Sequence, residues 1–364
     1  MAMADQIASA RHSIDREERN RRLVRIWLYA ICLLIFAMIL VGGATRLTDS
    51  GLSITEWKPL LGAIPPLSDA HWAEEFEKYK QIPEYQQINK GMSLSEFKFI
   101  YWWEWVHRFL GRFIGLAFAL PLLWFWMSGR IEDRLKPRLL ILFVLGGLQG
   151  FIGWWMVTSG LVERTDVSQY RLAIHLTLAC LIFAYALWIA RGLVQYSDPP
   201  ARFALRLLAP AVTIAVLGQI FLGGLVAGLD AGLAFNDWPT MDHAIIPGGL
   251  FVLEPAWLNF FENPKAVQFL HRIGGYVLWL LVLVQFLATL KISAANTHKA
   301  RAGIVLALVT LQVLIGITTL MMQVPMSWAL LHQGGAVVVL AFGVAHWRAI
   351  YGGYALQNAI EVRN

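Results

Sequence analysis

Eight stretches of about twenty or more mostly apolar residues divide this chain, at 24–45, 99–127, 138–160, 170–192, 204–229, 266–290, 301–322 and 327–349. A bilayer core of about 30 Å takes about 20 helical residues to cross, and every backbone N–H and C=O inside it must be satisfied within the spanning structure. The expected fold is therefore all-α: a polytopic membrane protein with eight transmembrane helices. Several spans carry Gly or Pro, which neighbouring helices accommodate.

Composition agrees. The 364 residues are 57% hydrophobic and 15% charged, with 16 tryptophans, against about 25% charge in soluble domains. A formal net charge of +6 does not point to nucleic acid, because the basic residues do not gather on one soluble face. They sit between apolar runs, where the positive-inside rule places them. Arg16, Arg19, Arg21 and Arg22 precede the first span and Arg25 opens it, Arg130, Arg134 and Lys136 follow the second, and Lys291, Lys299 and Arg301 follow the sixth. Both termini are expected in the cytoplasm of a bacterium, with the spans in its inner membrane. The polar N-terminus shows no small-residue cleavage site and reads as a retained tail, 1–23. Cys32 and Cys180 lie inside apolar runs and read as small buried hydrophobes, with no disulfide expected.

The chain repeats itself. "VGGATRLTDSGLSITEWKP" from Val41 aligns with "LGGLVAGLDAGLAFNDWPT" from Leu222, "HRFLG" from His107 with "HRIGG" from His271, and "LQGFIG" from Leu148 with "LQVLIG" from Leu311. Each half has four spans, an even number, so the halves share one orientation. The expected layout is two tandem four-helix bundles: 24–192 with a long outer loop at 46–98, and 204–350. An inner linker at 193–203 joins them, and a cytoplasmic tail at 351–364 follows. The amphipathic part of the outer loop, from His71 to Phe99, is expected to fold as short helices on the outer surface.

Four of the nine histidines sit in even-numbered spans at repeat-equivalent positions, near the outer end: His107, His175, His271 and His332. A pair of imidazoles from facing helices can clamp a haem iron from both sides. Zinc is the rival, but it takes three or four ligands. Arg108 and Arg272 follow the first histidine of each half and are candidates to pair with haem propionates. His12, His71, His243, His298 and His346 fall in tails, loops or a helix end and read as solvated or headgroup histidines.

One difference breaks the repeat. Glu104 stands three residues before His107; Gln268 stands three before His271. A carboxyl one helical turn from a ligand can face the same macrocycle and handle protons, whereas an amide cannot. The contrast suggests a reacting site in the first half and a merely binding one in the second.

Together, the four histidines, "EWVHR" and "GGATRLTDSGLSITEWKP" resemble the haem A synthase family over about 24–350, in its alphaproteobacterial and mitochondrial branch, which lacks an outer-loop Cys pair. The resemblance implies oxidation of the C8 methyl of haem O to a formyl group through hydroxylated intermediates, with oxygen from water. It implies that His107 and His175 hold the substrate haem O, that His271 and His332 ligate a resident haem b, and that Glu104 is the catalytic carboxylate. Partners implied are haem O, haem O synthase and membrane lipids; a homo-oligomer is compatible, and the sequence names no electron acceptor. Two other readings stay open: a di-haem b electron carrier of the quinol-oxidising cytochrome b type, and a parallel-repeat transporter using Glu104 as a proton site.

Overall fold

The computed structural model describes residues 2–58, 61–162, 164–196, 198 and 201–355. Among them the chain runs α1 (Ala2–Leu47), α2 (Asp69–Tyr79), α3 (Pro83–Gln87), α4 (Leu94–Met127), α5 (Lys136–Val157), α6 (Gln169–Gly192), α7 (Phe203–Gly228), α8 (Ala231–Ala234), α9 (Asn259–Glu262), α10 (Pro264–Ile292), α11 (Asn296–Met321) and α12 (Met326–Tyr351). Among the described residues there is no β-strand beyond one isolated bridge between Met241 and Ala244. Eight helices, α1, α4–α7 and α10–α12, are long and apolar enough to cross a membrane.

Local chemistry sets the ends of the helices. Ser93 and Glu96 form a reciprocal capping box that starts α4 five residues before its apolar run. The Asn263 side chain accepts from the Lys265 and Ala266 N–H groups, and Pro264 occupies the first helical position of α10. The polar stretch ahead of the first span continues α1 rather than standing apart as an irregular tail. Arg21 there is buried, paired with Glu17 one turn away and with Glu132 at 2.6 Å, which ties α1 to the turn between α4 and α5.

The packing order repeats. In the first half α1 lies against α4 and α6, and α5 against α6; in the second, α7 lies against α10 and α12, and α11 against α10 and α12. The halves meet where α6 packs on α7 and α12, and α1 on α12. A continuous apolar core runs through both, including Leu28, Leu139, Ala186, Val282 and Leu340. Where helices of two halves cross, small residues allow backbone contact: a Cβ on Gly228 of α7 would lie 2.6 Å from the Gln169 Cα of α6. One pair differs between halves. Helices α10 and α11 pack along an extended seam, whereas their counterparts α4 and α5 touch only sparsely.

The loop between α1 and α4 folds as the amphipathic pattern predicts, into α2 and α3. Trp72, Phe76 and Tyr79 project from one face of α2 into a cluster with Phe97, Ile100 and Tyr101 of α4. This builds a small roof over the N-terminal end of α4.

Candidate functional site

One cavity of about 1820 Å³ is lined by residues of both halves, and all four repeat-related histidines face it. Each ring rests on a glycine of a neighbouring helix. A Cβ would fall 2.8 Å from His107 Cε1 at Gly42, 2.9 Å from His175 Cε1 at Gly153, 3.2 Å from His271 Cε1 at Gly223 and 2.7 Å from His332 Cε1 at Gly316. These glycines stand in repeat-equivalent pairs, Gly42 with Gly223 and Gly153 with Gly316. These four glycines serve as imidazole seats.

Three of the rings have a further partner that sequence reasoning missed. The amide nitrogens of Gln149, Gln219 and Gln312 lie 3.1, 3.0 and 3.0 Å from Nδ1 of His175, His271 and His332, and each also donates to the backbone carbonyl of the same histidine. Partners on Nδ1 fix the ring plane; at His175 the same amide also lies 3.4 Å from Nε2. The signal was present in the repeat, since Gln149 and Gln312 share a place in "LQGFIG" and "LQVLIG". His107 lacks such a partner. The position matching Gln219 is Met38, and His107 Nδ1 is buried with no hydrogen bond.

The second-half pair fits a haem. The His271 and His332 ring centroids stand 6.4 Å apart. Two metal–imidazole bonds of about 2 Å, each continued to its ring centre, span about 6 Å. Among the described residues no group of three or more His, Cys, Asp and Glu side chains has a metal-binding arrangement, so the donor set suits axial ligation of a macrocycle better than a zinc centre.

Glu104 is held on all sides. Its Oε2 accepts from Ser53 Oγ and from the Ile54 N–H, both at 2.7 Å, and its Oε1 accepts from Arg108 Nε at 3.0 Å and Nη2 at 2.6 Å. Four donors on an acceptor-only group make a fully satisfied buried carboxylate. In the second half Gln268 donates to the Phe235 carbonyl, and its Oε1 is left buried without a partner.

The arginines build the same scaffold twice. Arg108 donates to the Ile54 and Glu56 carbonyls; Arg272 donates to those of Phe235, Asp237 and Thr240. Each pins a loop preceding its own helix, 54–56 or 235–240, to the cavity wall. Arg272 keeps its Nε–H buried and free of a hydrogen bond, while every nitrogen of Arg108 is engaged. Arg46 joins the halves across the mouth, bonding Asp49 at 2.8 Å and Asp230 at 2.7 Å.

Two other histidines differ from their sequence reading. His298 and His346 are not solvated; they are 1% and 2% exposed. They pack at the opposite end of the bundle from the four cavity histidines, and His298 Nε2 stands 3.9 Å from an Asp198 oxygen. Asp198 and the end of α12, where Ala349 lies, close over that edge, which an apolar-run count does not register.

Known proteins resemble this chain over nearly its whole length. The family model described as cytochrome oxidase assembly protein matches residues 25–344. Relatives named heme A synthase are 60% identical in Sinorhizobium medicae, covering 96% of each chain, and 61% identical in Chelativorans sp., covering 95% of this chain and 96% of the relative. A heme A synthase of Sinorhizobium fredii is 56% identical over the whole of both chains. The chain belongs to this cytochrome oxidase assembly family, and within it to the haem A synthases.

Proposed function

We propose that this protein oxidises the C8 methyl of haem O to the formyl group of haem A through hydroxylated intermediates, in the first half of the cavity. His107 and His175 hold the substrate iron; His271 and His332 hold a resident haem b, whose chemistry when bound is one-electron transfer beside the substrate. Arg272, which lines the cavity, would pair with a propionate of the resident group. Arg108 instead clamps Glu104, leaving any propionate on that side to share its donors.

The observation that carries the assignment is the Glu104–Gln268 contrast inside two otherwise matching scaffolds. The loop carbonyls of Ile54 and Phe235 meet equivalent arginines, yet only the first half sets a carboxylate there. Glu104 lies one helical turn from His107, so its charge is fixed in place before the substrate arrives. A preorganised anion stabilises positive charge that develops as the methyl carbon is oxidised, at no cost of reorganisation. His107 alone of the four has a bare Nδ1, and a ligand without an orienting partner suits a macrocycle that must leave; His175 on the same side keeps Gln149, and both second-half histidines have a glutamine.

Haem O synthase is the expected supplier, and the bacterial inner membrane the expected location, with both termini in the cytoplasm. A reporter fused after Asn364 should be active only in a cytoplasmic form. The decisive experiment is Glu104→Gln, which copies Gln268. The variant should fold, keep haem b, bind haem O and make no haem A on extraction of its pigments. Haem A formed at the wild-type rate would reduce Glu104 to a structural partner of Arg108. A preparation that never contains haem O or its oxidation products would favour a di-haem b electron carrier.

A further inference from the structure

The roof over the first half carries a second carboxyl. Glu84, on α3, is 5% exposed, lines the cavity together with Glu104, and its Oε2 is buried with no hydrogen-bond partner. Unpaired buried carboxyl oxygens are costly and rare. The groups that act on Glu84 are the Tyr79 hydroxyl of α2, Glu104 of α4, and Asp49 and Arg46 at the end of α1. Tyr79 accepts a hydrogen bond from Asn89 at 2.8 Å, and neighbouring Gln86 and Gln87 are exposed to solvent. Glu84 therefore stands between the chamber and the outer surface.

The overall conversion of a methyl group and water into a formyl group releases four protons and four electrons. The electrons leave through the established oxidation, while the protons need a route out of a largely apolar chamber. Glu104 is poorly suited to carry them, because four donors already occupy its oxygens. We propose that Glu84 is the proton-transfer residue of the chamber, accepting protons released during haem O oxidation and releasing them through the roof, whose Gln86 and Gln87 face solvent. This rests on the reading that haem O reacts in the first half.

The electrostatics agree with the geometry. Burial, reinforced by the charges of Glu104 and Asp49, pushes the Glu84 carboxyl up to about 8, against the opposing pull of Tyr79 and Arg46. A raised value means the proton is held at neutral pH and released above it. Only the deprotonated form accepts, so turnover should rise with pH through that value.

The test compares Glu84→Gln, Glu84→Asp and Glu104→Gln, purified as full chains with their haem. In Glu84→Gln, haem O conversion should fall about tenfold or more and lose its rise with pH, and Glu84→Asp should restore both. An infrared pH titration of the protein without added haem O should show a protonated-carboxyl band that disappears near pH 8 and is absent from Glu84→Gln. A wild-type rate and pH profile in Glu84→Gln, or persistence of that band in the variant, overturns the proposal. If Glu84→Gln does not accumulate, a wild-type infrared titration with no such band, or an unrestored Glu84→Asp profile, overturns it equally. An inactive Glu104→Gln beside an unaffected Glu84→Gln would leave the first-half reaction site standing and remove this proton route alone. A fully active Glu104→Gln combined with a Glu84→Gln that loses its pH limb would do the reverse.

Discussion

Trp279 Nε1 of α10 donates to Thr310 Oγ1 of α11 at 3.0 Å, and the two repeat-equivalent positions in the first half are Gly115 and Gly147. The hydrogen bond closes the seam between α10 and α11. Its counterpart between α4 and α5 has neither ring nor hydroxyl. Gly146 and Gly150 stand where the second half has Val309 and Val313, and a Cβ on any of Gly115, Gly146, Gly147 or Gly150 would meet nothing within 4 Å. The first half is open at its flank where the second is sealed.

Filling that flank should cost substrate without costing the fold. Gly150→Val copies Val313 and adds a side chain into open space, so expression and haem b content should stay at wild-type levels. Haem O should lose affinity by about 1–3 kcal/mol, roughly tenfold or more, if it occupies the opening. Pigment extraction after titration with haem O measures it; unchanged haem O uptake would place the substrate elsewhere.

The two histidine pairs should separate by pigment. His271→Ala or His332→Ala should remove haem b, because an axial ligand sets both affinity and potential. His107→Ala or His175→Ala should chiefly deplete haem O and its products. Chromatography of extracted haems distinguishes them, and equal loss of both pigments from all four variants would indicate one shared site.

The glutamines should tune the ligands they touch. Gln219→Leu removes the partner of His271 Nδ1 while leaving the ring on its Gly223 seat. Haem b should still bind, with affinity lower by about 10–100-fold and a shifted midpoint potential. Redox titration of the purified protein reads the shift. An unchanged potential and affinity would mean that the glycine seat alone positions the ring.

The second-half outer loop should depend on Asp237. Partial burial works to raise this carboxyl, but donation from the Thr240 hydroxyl and from the His243 and Asp242 N–H groups outweighs it and holds it down at about 2. A folded value below the ordinary carboxylate value of about 3.9 lends stability that is fully present above that value. It is lost as pH falls through about 2. The loop at 235–243 should therefore resist proteolysis at pH 4 and open on further acidification. Asp237→Asn should open it at neutral pH, loosening the carbonyls that receive Arg272. Hydrogen exchange across the loop checks both.

The spans, their order, the four histidines and the Glu104–Gln268 contrast were legible in the chain itself. Membrane helices announce their length because hydrocarbon tolerates no unsatisfied backbone, and a duplicated sequence compares each functional position with an internal control. The glycine seats were visible only as small residues, since a sequence shows that Gly42 is small but not that an imidazole lies over it. The pairing of Glu104 with Ser53, Ile54 and Arg108, the burial of His298 and His346, and the place of Glu84 in the cavity wall were decided by tertiary structure alone. Each depends on segments far apart in the chain meeting at one point. Periodicity and spacing encode which face of a helix is apolar, and carry no information about which distant loop will fold down upon it.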